Sequence, residues 1–386
     1  MKIYIDLEWA GLAKYAEELC GDNVEVVRTP DFVVAVLADG LGSGVKANIL
    51  SKMTAKIITT MFKNGAALEE VVETVSQTLP VCQKRDLAYS TFTIIQVTVN
   101  GEVYVAEFDN PTLFFLREGE IIPLPWHEIE ICGRRIKECR FQAVPGDVMV
   151  TVSDGVIHAG IGGVLNLGWQ WSDVADYLKK LVKKNPDARS LSQQIIAACE
   201  QLYACRPGDD TTALVLKIRT PRTLTVAVGP PQNREDDRRI VQLLKEEDGK
   251  KVVCGGTTGS ILARELGTEI KVDLKELDPE VPPYGKLRGI DLVTEGIITL
   301  SKTLELLKNP ETQPVEKNSK KKKNAVTLLS QYLLESDRIK FLVGRAINPA
   351  HQNPDLPLNM ALKMQVVKEI AENLEQRGKQ VELLYF

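Results

Sequence analysis

The tightest constraint on this chain is the spacing of its apolar runs. Thr91–Val99, Val103–Phe108 and Leu113–Leu116 are rich in β-branched and aromatic residues, and only short turn signals part them: Asn100-Gly101 and Asp109-Asn110-Pro111, with Glu118-Gly119 following. A parallel pair needs a crossover of about a dozen residues or more, so strands this close pair antiparallel. Phe32–Leu37, Val148–Val152 and Ala213–Ile218 are further strands. Helical periods lie between them. Val45, Ile49, Met53, Ile57 and Met61 recur every four residues, and Leu68, Val71, Val72, Val75 and Leu79 do much the same. Ser172 is a candidate cap for a helix through Val182, and another period runs from Leu191 to Tyr203. Residues 1–219 are therefore α+β, with a largely antiparallel sheet system and helices outside.

At Thr220-Pro221 the pattern changes. Strand-like Leu224–Val228, Lys251–Cys254, Ile339–Val343 and Gln380–Tyr385 alternate with helical Glu235–Lys245, Thr258–Leu266 and Asn359–Leu374. Such alternation builds βαβ units on a mostly parallel sheet, so residues 220–386 are expected to form a second, α/β, Rossmann-like domain. The total of 386 residues suits two domains. Pro310–Asn324, with its run Lys320–Lys323, is polar and aperiodic and is expected to be a flexible loop.

Charge and hydropathy exclude several classes of function. The formal net charge of -4 implies no general affinity for nucleic acid or an anionic membrane. No apolar run approaches the roughly 18 residues of a membrane helix. The opening MKIYIDLEWAGLAKYAEEL carries acids within its apolar stretch, unlike a signal peptide or anchor. Seven cysteines without a Cys-x-x-Cys pair fit reduced thiols, so a cytoplasmic location is expected.

The stretch ADGLGSGVKA, Ala38 to Ala47, ends an apolar run in an aspartate and three glycines, then opens a helical pattern. It is not a P-loop, which needs Lys then Ser or Thr after its second glycine; Gly44 is followed by Val45-Lys46-Ala47. Nor is it a dinucleotide fingerprint, because Gly40, Gly42 and Gly44 alternate and fall one residue short. A bare carboxylate repels phosphate, whereas one holding a divalent cation attracts it. One carboxylate holds a hard cation poorly, so more acids are expected at equivalent places. Val148–Val152 runs through Ser153 into Asp154-Gly155; Gly208-Asp209-Asp210-Thr211-Thr212 precedes Ala213–Ile218; Gly21-Asp22 lies upstream. Any one Asp-Gly is an ordinary turn. The set together points to a metal.

In these motifs, residues 1–219 resemble the PPM (PP2C-type) metal-dependent serine/threonine phosphatases, and most of all their bacterial SpoIIE/RsbU-like branch. The resemblance implies a sandwich of two antiparallel sheets flanked by helices, with Mn²⁺ or Mg²⁺ as a pair of ions in a cleft at one end. It implies that Asp39 bridges the two ions, that the Gly40 carbonyl ligates one, that Asp154 and Asp209 each complete one shell, and that Asp22 acts through water or from behind the ligands. Catalysis would then run through a metal-activated water on phosphoserine or phosphothreonine of a bacterial regulatory protein. It also implies that the helices after the first motif, Val45–Phe62 and Ala66–Leu79, act as a regulatory switch that helps to order the site; helices that merely pack on the sheet would give the same pattern. The eukaryotic branch has a histidine directly after the first Asp-Gly; here that residue is Leu41, and His127, His158 and His351 fall outside the motifs, so no general acid is assigned. Cys199-x5-Cys205-Arg206 lacks the Cys-x5-Arg cradle of cysteine phosphatases.

In the second domain, Gly255-Gly256-Thr257-Thr258-Gly259 joins a strand to a helix start, where free N–H groups suit an anion. Ser260, Asp291, Thr294 and Glu295, and Arg345, Asn348 and His351 after the strand Ile339–Val343, are further polar candidates. A tight turn with ordinary caps gives the same pattern. The expected partners are a phosphorylated protein, a small anionic ligand on the second domain, and a second copy in a homodimer; nucleic acid and membrane are not expected. Two rivals stand beside the enzyme: a weakly active or inactive phosphatase-like scaffold whose C-terminal domain senses an anionic ligand, and a nucleotide-binding second domain.

Overall fold

Phe32–Ala38 has no polar alternation, and the fold shows why: both faces of this strand are covered. Val33, Ala35 and Leu37 meet Ile95, Val97, Leu214 and Leu216 in a layer joining two sheets. Val34, Val36 and Ala38 lie against Ile58 and Val71 on the opposite face. A strand buried on both faces must be apolar throughout. The computed structural model describes residues 3–78, 90–272, 280–309, 324–346 and 358–386. Leu79, Cys82, Asn348, His351 and all but the last residue of the Pro310–Asn324 segment lie outside the described residues. The chain divides into two compact units, Met1–Thr220 and Pro221–Phe386.

The first unit runs β1 (Tyr4–Leu12), β2 (Asn23–Arg28), β3 (Phe32–Gly40), α1 (Gly44–Lys63), α2 (Leu68–Thr78), β4 (Ser90–Thr98), β5 (Glu102–Phe108), β6 (Phe114–Arg117), β7 (Glu120–Ile121), β8 (His127–Ile131), β9 (Arg134–Gln142), β10 (Val148–Val152), α3 (Asp154–Ile157), α4 (Trp171–Val182), α5 (Ala188–Leu202) and β11 (Thr211–Arg219). One sheet has the order β1-β11-β10-β6-β7 and the other β2-β3-β4-β5-β9-β8. Every pairing in both is antiparallel. On the outer face of the first sheet, Val150, Val152 and Val215 pack with Leu178 of α4 and Ile195 of α5. The result is the expected sandwich of two antiparallel sheets between helices.

Three local expectations differ. The strand at Leu113–Leu116 does not pair with Val103–Phe108 across their short connection: β6 passes to the other sheet and pairs with β10, while β5 pairs with β9. Helix α4 begins at Trp171 with Gln170 at its N-cap, so Ser172 lies inside the first turn. Helix α1 forms, but the first half of the stripe that marked it faces outward: Val45, Ile49 and Met53 are 59%, 52% and 43% exposed, while Ile57 and Met61 pack against the core. Its buried side carries Ala47, Leu50, Ser51, Thr54, Ala55 and Ile58. Small side chains let the helix lie close on β3. The buried hydroxyls are satisfied locally, Thr54 Oγ1 donating to Leu50 O at 2.8 Å and Thr59 Oγ1 to Ala55 O at 2.9 Å.

Glu107 of β5 sits in the first unit at 3% exposure. Its Oε1 accepts the Leu113 N–H at 2.7 Å, while Oε2 has no hydrogen-bond partner. Burial pushes its carboxyl up to about 8, partly offset by that N–H. A group raised on folding stabilises fully only below its unfolded value, so Glu107 costs the fold progressively as pH climbs from about 4.3 towards 8. Glu107→Gln keeps the acceptor and drops the charge. Thermal melts should match wild type near pH 4.5 and lie above it at pH 8.5, by several degrees. Equal melting temperatures at pH 8.5 would show that the carboxyl titrates normally.

The second unit runs β12 (Thr223–Val228), α6 (Asp236–Glu246), β13 (Lys250–Cys254), α7 (Gly256–Leu266), β14 (Lys271–Val272), β15 (Gly285–Leu287), β16 (Ile290–Thr294), α8 (Ile297–Lys308), α9 (Ala325–Glu335), β17 (Arg338–Val343), α10 (Leu358–Gln376) and β18 (Gln380–Tyr385). Its sheet has the order β14-β15-β16-β13-β12-β17-β18. The five strands β16, β13, β12, β17 and β18 are parallel. The pairings of β14 with β15 and of β15 with β16 are antiparallel, so the sheet is mixed but mostly parallel, as expected. Leu300 of α8, Leu329 of α9 and Ile370 of α10 pack on one face, and Ile240 of α6 and Leu262 of α7 on the other. Among the described residues, no helix is long and apolar enough to cross a membrane.

Candidate metal centre

Side chains alternate along a strand, so Asp39 continues the inward face of Val33, Ala35 and Leu37 and emerges where the layer between the sheets ends. Its strand end is fixed from the side: Ser90 Oγ donates to Asp39 O at 2.8 Å. β10 delivers Asp154 as the first residue of α3, and Asp209 stands two residues before β11. The three carboxylates reach one cleft of about 260 Å³, together with Gly40, Leu41, Gly42 and Lys14.

Asp22 lies behind this cleft, 6% exposed, with neither carboxylate oxygen hydrogen-bonded. Burial raises its proton affinity above the usual carboxylate range; the nearby Ser153 and Thr212 hydroxyls offset part of that, and Asp210 adds to it. Asp39 is raised by burial first, then by the charges of Asp22 and Asp154. Asp209 is raised by burial and then by Asp154. Buried like charges are tolerated only when protons or cations neutralise them. Among the described residues no group of three or more His, Cys, Asp or Glu is placed to hold a metal ion by itself. Mg²⁺ keeps several waters and takes only one or two carboxylates directly. The oxygen-only donors, the orphaned Asp22 oxygens and the mutual repulsion all fit hard divalent cations.

Other predicted residues fall as follows. Asp210 turns inward, 3% exposed, its Oδ1 accepting the Lys14 N–H at 3.0 Å. His158, although outside the motifs, closes α3 beside the cleft, with Nδ1 3.9 Å from Asp154 Oδ2. His127 lies exposed on β8. Cys199 is buried in α5, and burial pushes its thiol up to about 12, far from a nucleophile at neutral pH. In the second unit, Gly255 caps α7 and Gly256–Gly259 form its first turn. Asp291 sits near the amino end of β16, where it accepts the Lys251 N–H, so it is not brought to the Gly255 turn. Arg345 lies over the Tyr385 ring at 4.8 Å. Lys14, which lines the cleft and draws Asp209 back towards its charged form, carries no sequence signal: it stands in no motif.

Residues 29–219 match the model of the family described as Stage II sporulation protein E (SpoIIE). The domain belongs to that family, of PP2C-type phosphatase domains. No curated protein matches the chain. Among solved structures, the PP2C phosphatase domain with a regulatory-domain fragment of SpoIIE from Bacillus subtilis is 17% identical at a TM-score of 0.48, covering 57% of this chain and 63% of that one. This chain thus spans under two thirds of that structure. The RsbU and RsbW domains of a Mycobacterium tuberculosis protein give 18% identity and a TM-score of 0.44, covering 64% of this chain and 68% of that one. RsbX, solved in complex with magnesium, gives 18% and 0.40, covering 55% of this chain and 95% of that one.

Proposed function

We propose that the SpoIIE-family domain is an active, Mn²⁺- or Mg²⁺-dependent phosphoprotein phosphatase for phosphoserine and phosphothreonine on a bacterial regulatory protein. The observation that carries this reading is the meeting of Asp39, Asp154 and Asp209 in one cleft, from three strand ends far apart in the chain. Asp39, Asp154, Asp209 and the Gly40 carbonyl would hold the ions, with Asp22 behind them. Bound there, a divalent pair supplies the positive charge that acidifies an attacking water and offsets the phosphate oxygens. The chain's own groups do the rest. Lys14 brings a cation to the same cleft for a phosphate oxygen. His158 stands beside Asp154, its Nδ1 3.9 Å from Oδ2. Leu41 presents apolar surface, 39% exposed, where an imidazole would stand in the eukaryotic branch. A protein substrate is favoured by α1: Val45, Ile49 and Met53 form an exposed apolar stripe on the helix that starts four residues after Gly40.

Hydrolysis of p-nitrophenyl phosphate with MnCl₂ tests the reading. Asp154→Asn should abolish turnover and Cys199→Ser should leave it. Turnover that survives Asp154→Asn, or none with any divalent metal, would favour the scaffold that only senses ligands.

A further inference from the structure

The residues proposed to carry the phosphatase chemistry all lie in the first unit. Its parallel strands reverse their direction of growth at β12, with β13 on one side and β17 on the other. Open parallel sheets bind ligands outside the carboxyl ends of their strands at such a switch point. Four of those ends carry glycine turns here: Gly229 after β12, Gly255 after β13, Gly296 after β16 and Gly344 after β17. The turns are tied by backbone alone. Gly344 N donates to Val228 O at 2.9 Å, Gly229 N to Cys254 O at 3.2 Å, and Gly255 N to Thr294 O at 3.0 Å. A methyl group on Gly344 would run into the Pro230 carbonyl, so the approach is open only to glycine.

Three donors converge on this floor. Helix α7 starts at Gly256 with no side-chain cap and no acid in its first turn, leaving its first N–H groups free. Thr258 is 1% exposed and its Oγ1 has no hydrogen-bond partner. That hydroxyl points back at the cap: it is the nearest atom, at 3.2 Å, to the place a Gly255 Cβ would take. The same place is 3.8 Å from Gly229 N, and a Gly229 Cβ would fall 2.5 Å from Lys363 Nζ. Lys363, on α10, donates to Gly344 O at 2.6 Å and makes no ion pair among the described residues. Burial lowers its proton affinity, the mark of a cation without a counter-ion. Glu295, the acid beside the turns, is turned to α8, where its Oε2 accepts the Ile298 N–H.

We infer that the Gly229–Gly255–Gly344 crevice binds the phosphate group of a small phosphorylated molecule, between the first N–H groups of α7 and the ammonium of Lys363. A phosphate brought there would give Lys363 its missing partner and Thr258 an acceptor. Calorimetric titration of the full chain in EDTA tests this, with inorganic phosphate in one arm and ADP in the other; EDTA keeps the carboxylate cleft free of metal and repulsive to both. Saturable binding is expected in at least one arm, tighter for ADP if the natural ligand is an ester and equal if it is free phosphate. Gly256→Asp puts an anion at the helix start, into space with nothing within 4 Å, so the fold should be kept while binding weakens about tenfold or more. Lys363→Met should weaken it similarly; should that variant melt early, Gly256→Asp decides. No saturable heat in either arm, or an affinity unmoved by Gly256→Asp, overturns the assignment.

Discussion

Replacing Asp39 by Asn is expected to abolish phosphate-ester hydrolysis and, in EDTA, to raise the melting temperature. The two effects have one cause. In the metal-free protein Asp39 is pressed by burial and by the charges of Asp22 and Asp154, so its ionised form opposes folding. Asn keeps the shape and removes the charge. A single unit of proton affinity is worth about 1.4 kcal/mol. Relief on the order of 2 kcal/mol is therefore expected, or roughly 4–8 °C for a unit of this size. The same change takes away the carboxylate proposed to bridge two cations, and turnover of p-nitrophenyl phosphate should fall by roughly 10³ or more. With MnCl₂ the order reverses: wild type should gain stability by mass action, while the variant gains little. A protein that pays for its activity in stability shows this pairing. An Asp39→Asn variant that melts below wild type in EDTA, or that turns over substrate normally, would show that the carboxylates hold the fold together and do not await a metal.

How much of this was legible follows from which forces act locally. Asp39 and Asp154 could be read because each ends an apolar strand in Asp-Gly, and strand, turn and acid all lie within a few residues. The antiparallel pairing of β4 with β5 could be read because their turn is short; the crossing of β6 to the other sheet, where it pairs with β10, could not, since a short connection does not oblige its two strands to share a sheet. Asp22 was legible as one acid of the set, next to a glycine; its burial and its two orphaned oxygens were not, because the groups around it, Ser153, Asp210 and Thr212, are remote in sequence. Lys14 was not legible, since β1 reaches the cleft by pairing along its whole length with β11, from Tyr4 opposite Arg219 to Leu12 opposite Thr211. Strands β8 and β9 escaped because Glu128, Glu130, Arg134, Arg135 and Lys137 interrupt the apolar pattern in both. The α1 stripe misleads for a different reason. Periodicity shows that a helix has two faces, and packing decides which of them is covered. Here Ala47, Ser51 and Ala55 win the sheet because they are small. In the second unit the Gly255 turn was visible, whereas Lys363 sits in the middle of a helical period and acquires its meaning only where α10 passes Gly229 and Gly344.

That close approach of α1 to β3 makes Gly40→Ala the more damaging of two glycine substitutions in the first motif. Gly40 is the last residue of β3, opposite Ser90. A Cβ there would run into the Ala47 carbonyl oxygen and would lie 2.8 Å from the Ala47 carbonyl carbon and 2.9 Å from Gly21 O. All three are backbone atoms, so none can swing aside as a side chain would. The first turn of α1 must retreat from the strand, the Gly21-Asp22 turn must, or Gly40 must shift and carry the neighbouring Asp39 with it. A loss of about 3 kcal/mol is expected, a melting point lower by roughly 6–12 °C, together with loss of the stabilisation by MnCl₂. Gly42→Ala separates collision from backbone strain. Gly42 has φ of +97° with nothing within 4 Å of an added Cβ, so only the cost of a left-handed conformation applies, about 1–2 kcal/mol. Gly40→Ala should therefore melt below Gly42→Ala. If the order is reversed, α1 is not seated on the end of β3 by the absence of that one side chain, and the geometry that aims Asp39 must have another source.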